Sequence, residues 1–277
     1  MTRSRVIHTL TASLLFVALP LIAVAAEPAA APPGLRILYS GDSWHRFMPS
    51  LMERIGAAAG ITDQKLTVGW ALNTGGYGKL GTVLDEGTFD AMSWGRPGWD
   101  QGGLQQFLGQ GVIDKGLKNN RQFRFYVQMA WNVSDGRGGI KAVADYDASN
   151  LADVQAAYDR GRKGVEALAD EINAKQSRRV MFLVPVGEAV TKLRGMIVEG
   201  KVPGVERQSQ VFTDAMPHAG PLAAELAAYC NYAAIYRSSP EGLAIKDGVP
   251  AEQRAIIQAI AWETVSKYAY AGVSDAK

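Results

Sequence analysis

Gly41-Asp42-Ser43 follows the apolar run Leu35–Tyr39 and precedes a helical pattern that opens near Met48-Pro49. A serine so placed stands on a strand-to-helix turn, where the unpaired N–H groups and positive dipole end of the helix favour developing negative charge. That setting suits a nucleophilic hydroxyl whose reaction passes through an oxyanion. The hydroxyl also needs a base, and bases are scarce. Of three histidines, His8 falls in the N-terminal leader, which leaves His45 and His218. His45 lies only two positions from Ser43, too close along the chain for a comfortable approach, so His218 is the expected base. Asp214 precedes His218 by four residues, in a short loop ahead of a long apolar helix. In a catalytic triad the histidine takes the serine proton, and a carboxylate fixes its tautomer and steadies the imidazolium. Asp214 is near enough in sequence to fill that place.

These residues need a scaffold that holds distant segments together. Apolar runs of strand length recur at 35–39, 66–70, 88–93, 123–130 and 179–185, and segments of helical character alternate with them. The expected helices cover about 49–59, 103–113, 150–175, 187–199, 220–237 and 250–270, with Pro49 and Pro221 suited to first turns and Asn150 to an N-cap. Strands alternating with helices indicate βαβ units and a parallel α/β sheet, whose ligands bind beyond the carboxyl ends of the strands. Four of the six tryptophans, Trp44, Trp70, Trp94 and Trp131, follow strand runs, as do Asn73, Arg96 and Asn132. Large aromatics at such places either seal the core beneath loops or offer flat faces to sugar rings. Among the carboxylates, Asp42 is read as orienting backbone N–H groups, and Asp90 and Asp135 as turn or capping groups. The charged stretch from Asp153 to Arg179 reads as a solvated helix face.

Composition narrows the function classes. Residues 1–26 have the form of a secretory signal, with Arg3 and Arg5 ahead of an apolar stretch and a small-residue site at Ala23-Val24-Ala25. The expectation is export to a periplasm or the cell exterior, with no stable membrane insertion once the signal is cleaved. Residues 27–34 form an Ala/Pro-rich tether and 35–277 a single domain. A formal charge of +2 without a basic stripe argues against a nucleic-acid partner. Cys230 is the lone cysteine, set in an apolar run and read as a buried, inert thiol. With so few histidine and cysteine ligands no metal site is expected, and no cofactor motif appears. Gly75–Lys79 and Asp135–Gly139 are glycine-rich but match no phosphate or dinucleotide fingerprint, and read as flexible connections.

Gly41-Asp42-Ser43 near the start, with Asp214 and His218 near the end, resembles the SGNH or GDSL-type hydrolases across nearly the whole chain beyond the leader. The resemblance implies a three-layer, flavodoxin-like fold with a five-stranded parallel sheet flanked by helices. It places Ser43 as nucleophile and His218 and Asp214 in the last conserved block. Gly76, or less well Gly75, falls on the glycine whose N–H joins that of Ser43 in the oxyanion hole. Two features depart from the family pattern. Trp94-Gly95-Arg96-Pro97 stands where Gly-x-Asn is usual, so one oxyanion donor is missing, and the last block is Asp-x-x-x-His, one residue longer than usual. Asn73, Asn132 and Arg96 are the candidates for the missing donor. The expected function is a secreted serine esterase that removes short acyl groups, such as acetyl, from a carbohydrate, with His45, Trp44, Asn73, Trp94, Arg96, Trp131 and Asn132 as candidate substrate contacts. The alternative is a non-catalytic saccharide-binding protein on the same fold.

Overall fold

The computed structural model describes residues 30–69, 77–96 and 101–274. Five strands form one fully parallel sheet: β1 (Arg36–Gly41), β2 (Lys65–Val68), β3 (Ala91–Arg96), β4 (Arg124–Met129) and β5 (Met181–Val184), in the order β2-β1-β3-β4-β5. Among the described residues eight α-helices accompany them: α1 (Met48–Ala58), α2 (Tyr77–Glu86), α3 (Gln101–Leu108), α4 (Val112–Asn119), α5 (Leu151–Lys175), α6 (Val186–Val198), α7 (Pro221–Tyr236) and α8 (Ala251–Lys267).

β1, β3, β4 and β5 are buried on both faces, whereas β2 is a partly exposed edge strand, and side-chain alternation divides the buried residues between two cores. Ile37, Tyr39, Tyr126, Phe182 and Val184 pack with α1, α6, α7 and α8, whereas Leu38, Phe125, Val127 and Leu183 pack with α2, α3, α4 and α5. The result is a three-layer α/β architecture. α7 carries apolar residues around nearly its whole circumference because α1, α6 and α8 all press against it. Cys230 sits within it, fully buried, and burial pushes its thiol well above the usual range.

The expected helices at 49–59, 150–175, 187–199 and 220–237 match α1, α5, α6 and α7 to within a residue or two, and α8 stops three residues short of 270. The single helix expected over 103–113 is two, because Gly109-Gln110-Gly111 interrupts it and Gly111 adopts φ 73° to start α4. α2 begins at Tyr77, inside the glycine-rich run read as a flexible connection. The third strand starts later than expected and carries Trp94 within it. Asn150 caps α5 as anticipated, accepting from the N–H groups of Ala152 and Asp153. Asp90 is more than a turn residue: its carboxylate takes the Arg36 guanidinium at 2.7 Å.

Candidate active site

Between β1 and β3 the chain changes the face of the sheet on which it travels, from α1 on one side to α2 on the other. In open α/β sheets this switch opens a crevice at the carboxyl edge. β1 ends there at Gly41, paired with Gly95 of β3. Gly41 has φ 140°, and a Cβ on it would sit 2.1 Å from the Gly95 carbonyl oxygen. Only glycine lets the two strand ends approach this closely while the chain turns away into Asp42-Ser43. The turn is then set by short-range bonds. Asp42 N–H donates to the Gly95 carbonyl, the Asp42 carboxylate accepts from Trp44 N–H, and His45 N–H donates to the Asp42 carbonyl. The Ser43 N–H donates to no protein group among the described residues.

From the far end of the chain, a closed loop delivers the other two groups. Its base is the bridge between Phe212 and Ala219, tightened by Thr213 N–H donating to the His218 carbonyl and Gly220 N–H donating to that of Val211. Inside the loop, Asp214 Oδ1 accepts from Met216 N–H at 2.9 Å and His218 N–H at 3.2 Å, and Oδ2 lies 2.7 Å from His218 Nδ1. His218 Nε2 lies 2.9 Å from Ser43 Oγ. The bond from His218 holds the Asp214 carboxyl below the usual carboxylate range, so this acid is ionised and can only accept. Nδ1 therefore carries the imidazole proton, which leaves Nε2 as an acceptor for the serine hydroxyl. The extra residue of Asp-x-x-x-His is absorbed in the two backbone bonds to Oδ1, and the carboxylate still reaches the ring.

The loop is also gripped from outside. Trp131 Nε1–H donates to the Pro217 carbonyl at 2.8 Å and Tyr146 Oη–H to that of Ala215 at 2.8 Å. Both donors belong to the segment after β4, where Ser134 and Asp135 adopt φ 52° and 54°. Asp135 is a turn residue, as expected, and also a partner in an ion pair. Its two oxygens take the Arg194 guanidinium at 2.7 Å each, with both side chains about 1% exposed. The same guanidinium lies over the rings of Tyr146 and Phe212.

Several expected contacts are corrected. His45 is fully buried beneath the turn, with Nε2 3.0 Å from Ser93 Oγ, and cannot touch a substrate. Burial pulls its imidazole down to about 4, so it is neutral near pH 7. Trp44, Trp94 and Trp131 are each at most 4% exposed. Trp44, with its ring 4.8 Å from that of His218, and Trp131 lie in the core beneath the site, Trp94 stacks on Phe107 in the core on the other face of the sheet, and none of the three offers a face to a sugar. Asn132 is half-buried at the carboxyl end of β4. Gly75, Gly76, Asn73, Trp70 and the side chain of Arg96 lie outside the described residues. Sequence reasoning missed Trp131 and Tyr146 as supports of the histidine loop, because nothing local marks a side chain that bonds a carbonyl 69 or 86 positions away. Among the described residues, no group of three or more His, Cys, Asp or Glu is placed to hold a metal ion, and no helix is long and apolar enough to cross a membrane.

The architecture has a counterpart among solved structures. The chain is similar to a DUF4886 family protein from Bacteroides uniformis, with a TM-score of 0.55 at 11% sequence identity, over 84% of this chain and 95% of that one. At that identity the likeness concerns the fold. No protein-family model matches the sequence. No curated protein matches it either.

Proposed function

We propose that this chain is an exported serine hydrolase of SGNH type that cleaves short acyl esters. The observation that carries the reading is the continuous line from Ser43 Oγ through His218 to the ionised Asp214, each link at hydrogen-bonding distance. Ser43 Oγ attacks the ester carbonyl while its proton passes to His218 Nε2. The tetrahedral oxyanion takes the Ser43 N–H and, on the family pattern, that of Gly76. Collapse expels the alkoxide, which receives the proton from His218, and a water molecule then repeats the sequence to release the acid. Asp214 keeps the ring oriented and stabilises the imidazolium. Export rests on the signal-like residues 1–26. Trp44, Trp94 and Trp131 are buried, so none of these three supports sugar recognition. The proposal therefore rests on acyl chemistry rather than on sugar recognition.

The test is mass-spectrometric mapping of a fluorophosphonate probe on the folded protein, beside Ser43→Ala and His218→Ala. Adduct confined to Ser43 and lost in His218→Ala is the expected result. A folded protein that stays unlabelled overturns the hydrolase reading, and labelling that survives His218→Ala overturns the assignment of the base.

A further inference from the structure

A second set of polar side chains lies directly under the nucleophile turn, on three separate elements, and the catalytic line does not use it. Ser93 on β3, Gln128 on β4 and Asn231 on α7 are at most 2% exposed, as is His45. Buried polar groups at this depth are costly unless hydrogen-bonded, and apart from His45 Nδ1 these bond to one another and to main-chain carbonyls. Gln128 Nε2 donates to the Trp44 carbonyl at 2.9 Å. Asn231 Nδ2 donates to Gln128 Oε1 at 2.9 Å and to the Ala227 carbonyl at 2.9 Å. Ser93 Oγ donates to Asn231 Oδ1 at 3.2 Å and lies 3.0 Å from His45 Nε2.

The proton positions follow from main-chain acceptors at two points. A carbonyl can only accept, so the Trp44 and Ala227 carbonyls fix the amide orientations of Gln128 and Asn231. Asn231 Oδ1 must then accept the Ser93 hydroxyl proton, which leaves Ser93 only lone pairs to offer His45. His45 therefore carries its proton on Nε2. Its Nδ1 has no hydrogen-bond partner among the described residues and lies against Gly95, where a Cβ would come within 2.9 Å. All donors run one way round: His45 to Ser93 to Asn231 to Gln128 to the Trp44 carbonyl. The circuit closes on neighbouring residues, Trp44 and His45, the first two after Ser43.

We propose that this buried circuit is a positioning device for the nucleophile, in which Gln128, Asn231, Ser93 and His45 tie the Ser43 turn to β3, β4 and α7 and hold Ser43 Oγ and N–H in register with His218. The proposal rests on Ser43 being the nucleophile. A free turn of six residues between Gly41 and α1 would sample several conformers, and reactivity scales with the fraction in the competent one. A circuit that served only to hold the core together would affect stability without affecting Ser43 selectively.

The experiment compares Gln128→Met, which keeps side-chain length and removes the donor to the Trp44 carbonyl, with Leu183→Ala, a truncation in the core on the opposite face of the sheet. Two quantities are measured on each folded protein: the second-order rate of Ser43 phosphonylation by a fluorophosphonate, and the hydrogen-exchange rates of the Trp44 and His45 amides. In Gln128→Met, phosphonylation should fall roughly 10- to 100-fold and both amides should exchange at least about tenfold faster. Leu183→Ala, at an equal or larger loss in Tm, should stay within about threefold of wild type on both readouts. Wild-type rates in Gln128→Met, or equal losses in Leu183→Ala, would overturn the proposal. If wild-type protein itself is unlabelled, the hydrolase reading fails, and the amide exchange alone still decides whether the circuit orders the turn.

Discussion

Asp214 uses its two oxygens differently, and the difference can be tested at a single atom. Oδ1 organises the loop through two backbone N–H groups, and Oδ2 orients the His218 ring. Asp214→Asn can keep the first function, because an amide oxygen still accepts. Its NH₂ group cannot accept from Nδ1–H and would favour the other tautomer, turning a proton toward Ser43. Turnover of a short-chain aryl ester should fall about 10²–10⁴-fold in Asp214→Asn while KM stays within about threefold. The lower part of that range is expected because Asp214 is about half exposed, and water can replace some of its support. Asp214→Ala, which removes both oxygens, should show in addition faster exchange of the Met216 and His218 amides. A loss in Asp214→Asn confined to KM would mean that the carboxylate binds substrate. The three residues of this line were legible in the sequence because candidate bases are so few that the pairing is nearly forced. The tryptophans were not, because their burial is decided by segments distant in sequence, and an aromatic following a strand looks the same whether it lines a cleft or floors one.

At the scale of elements, the histidine loop and the strand ends make separate demands. Trp131 and Tyr146 hold the Pro217 and Ala215 carbonyls, and burial pushes the Tyr146 phenol up to about 12, so it remains a donor throughout the working range. Trp131→Phe preserves an aromatic in the core and deletes one N–H. It should cost about 1–3 kcal/mol in stability and lower kcat roughly 10-fold with KM little changed. An unchanged kcat in folded Trp131→Phe would show that the inner bonds of the loop suffice. Gly41→Ala meets both a φ of 140° and the Gly95 carbonyl, and should destabilise by more than about 1 kcal/mol in chemical denaturation. Most elements were readable because apolar runs of strand length and clear helix starts at Pro49, Asn150 and Pro221 agree with the tertiary structure. The exceptions are places where glycine misleads. Gly109 and Gly111 split a run whose apolar spacing is continuous, whereas Gly78, in a run read as flexible, lies within α2.

For the whole molecule, the placement of His45 makes folding free energy depend on acidity in a direction that can be worked out. In the unfolded chain its imidazole titrates near its ordinary value, about 6.5, whereas in the folded protein burial pulls it down to about 4. Between these values the unfolded state holds a proton that the folded state lacks, so stability rises with pH across that window and is flat in this group above it. As pH falls from about 6.5 to about 4, His45 should withdraw about 3 kcal/mol from the folded state. Such a loss is a sizeable share of the total stability of a domain. Carboxylates titrate in the same range, so the sharp comparison is with His45→Gln, which lacks this titration and retains the others. Urea unfolding at intervals from pH 4 to pH 8 should show wild type ahead of His45→Gln above about pH 7, with the gap closing toward pH 4. A gap that stays constant over the whole range would mean that His45 is protonated in the fold without penalty. It would then have to carry hydrogens on both ring nitrogens, the one on Nδ1 lying against Gly95 with no hydrogen-bond partner among the described residues.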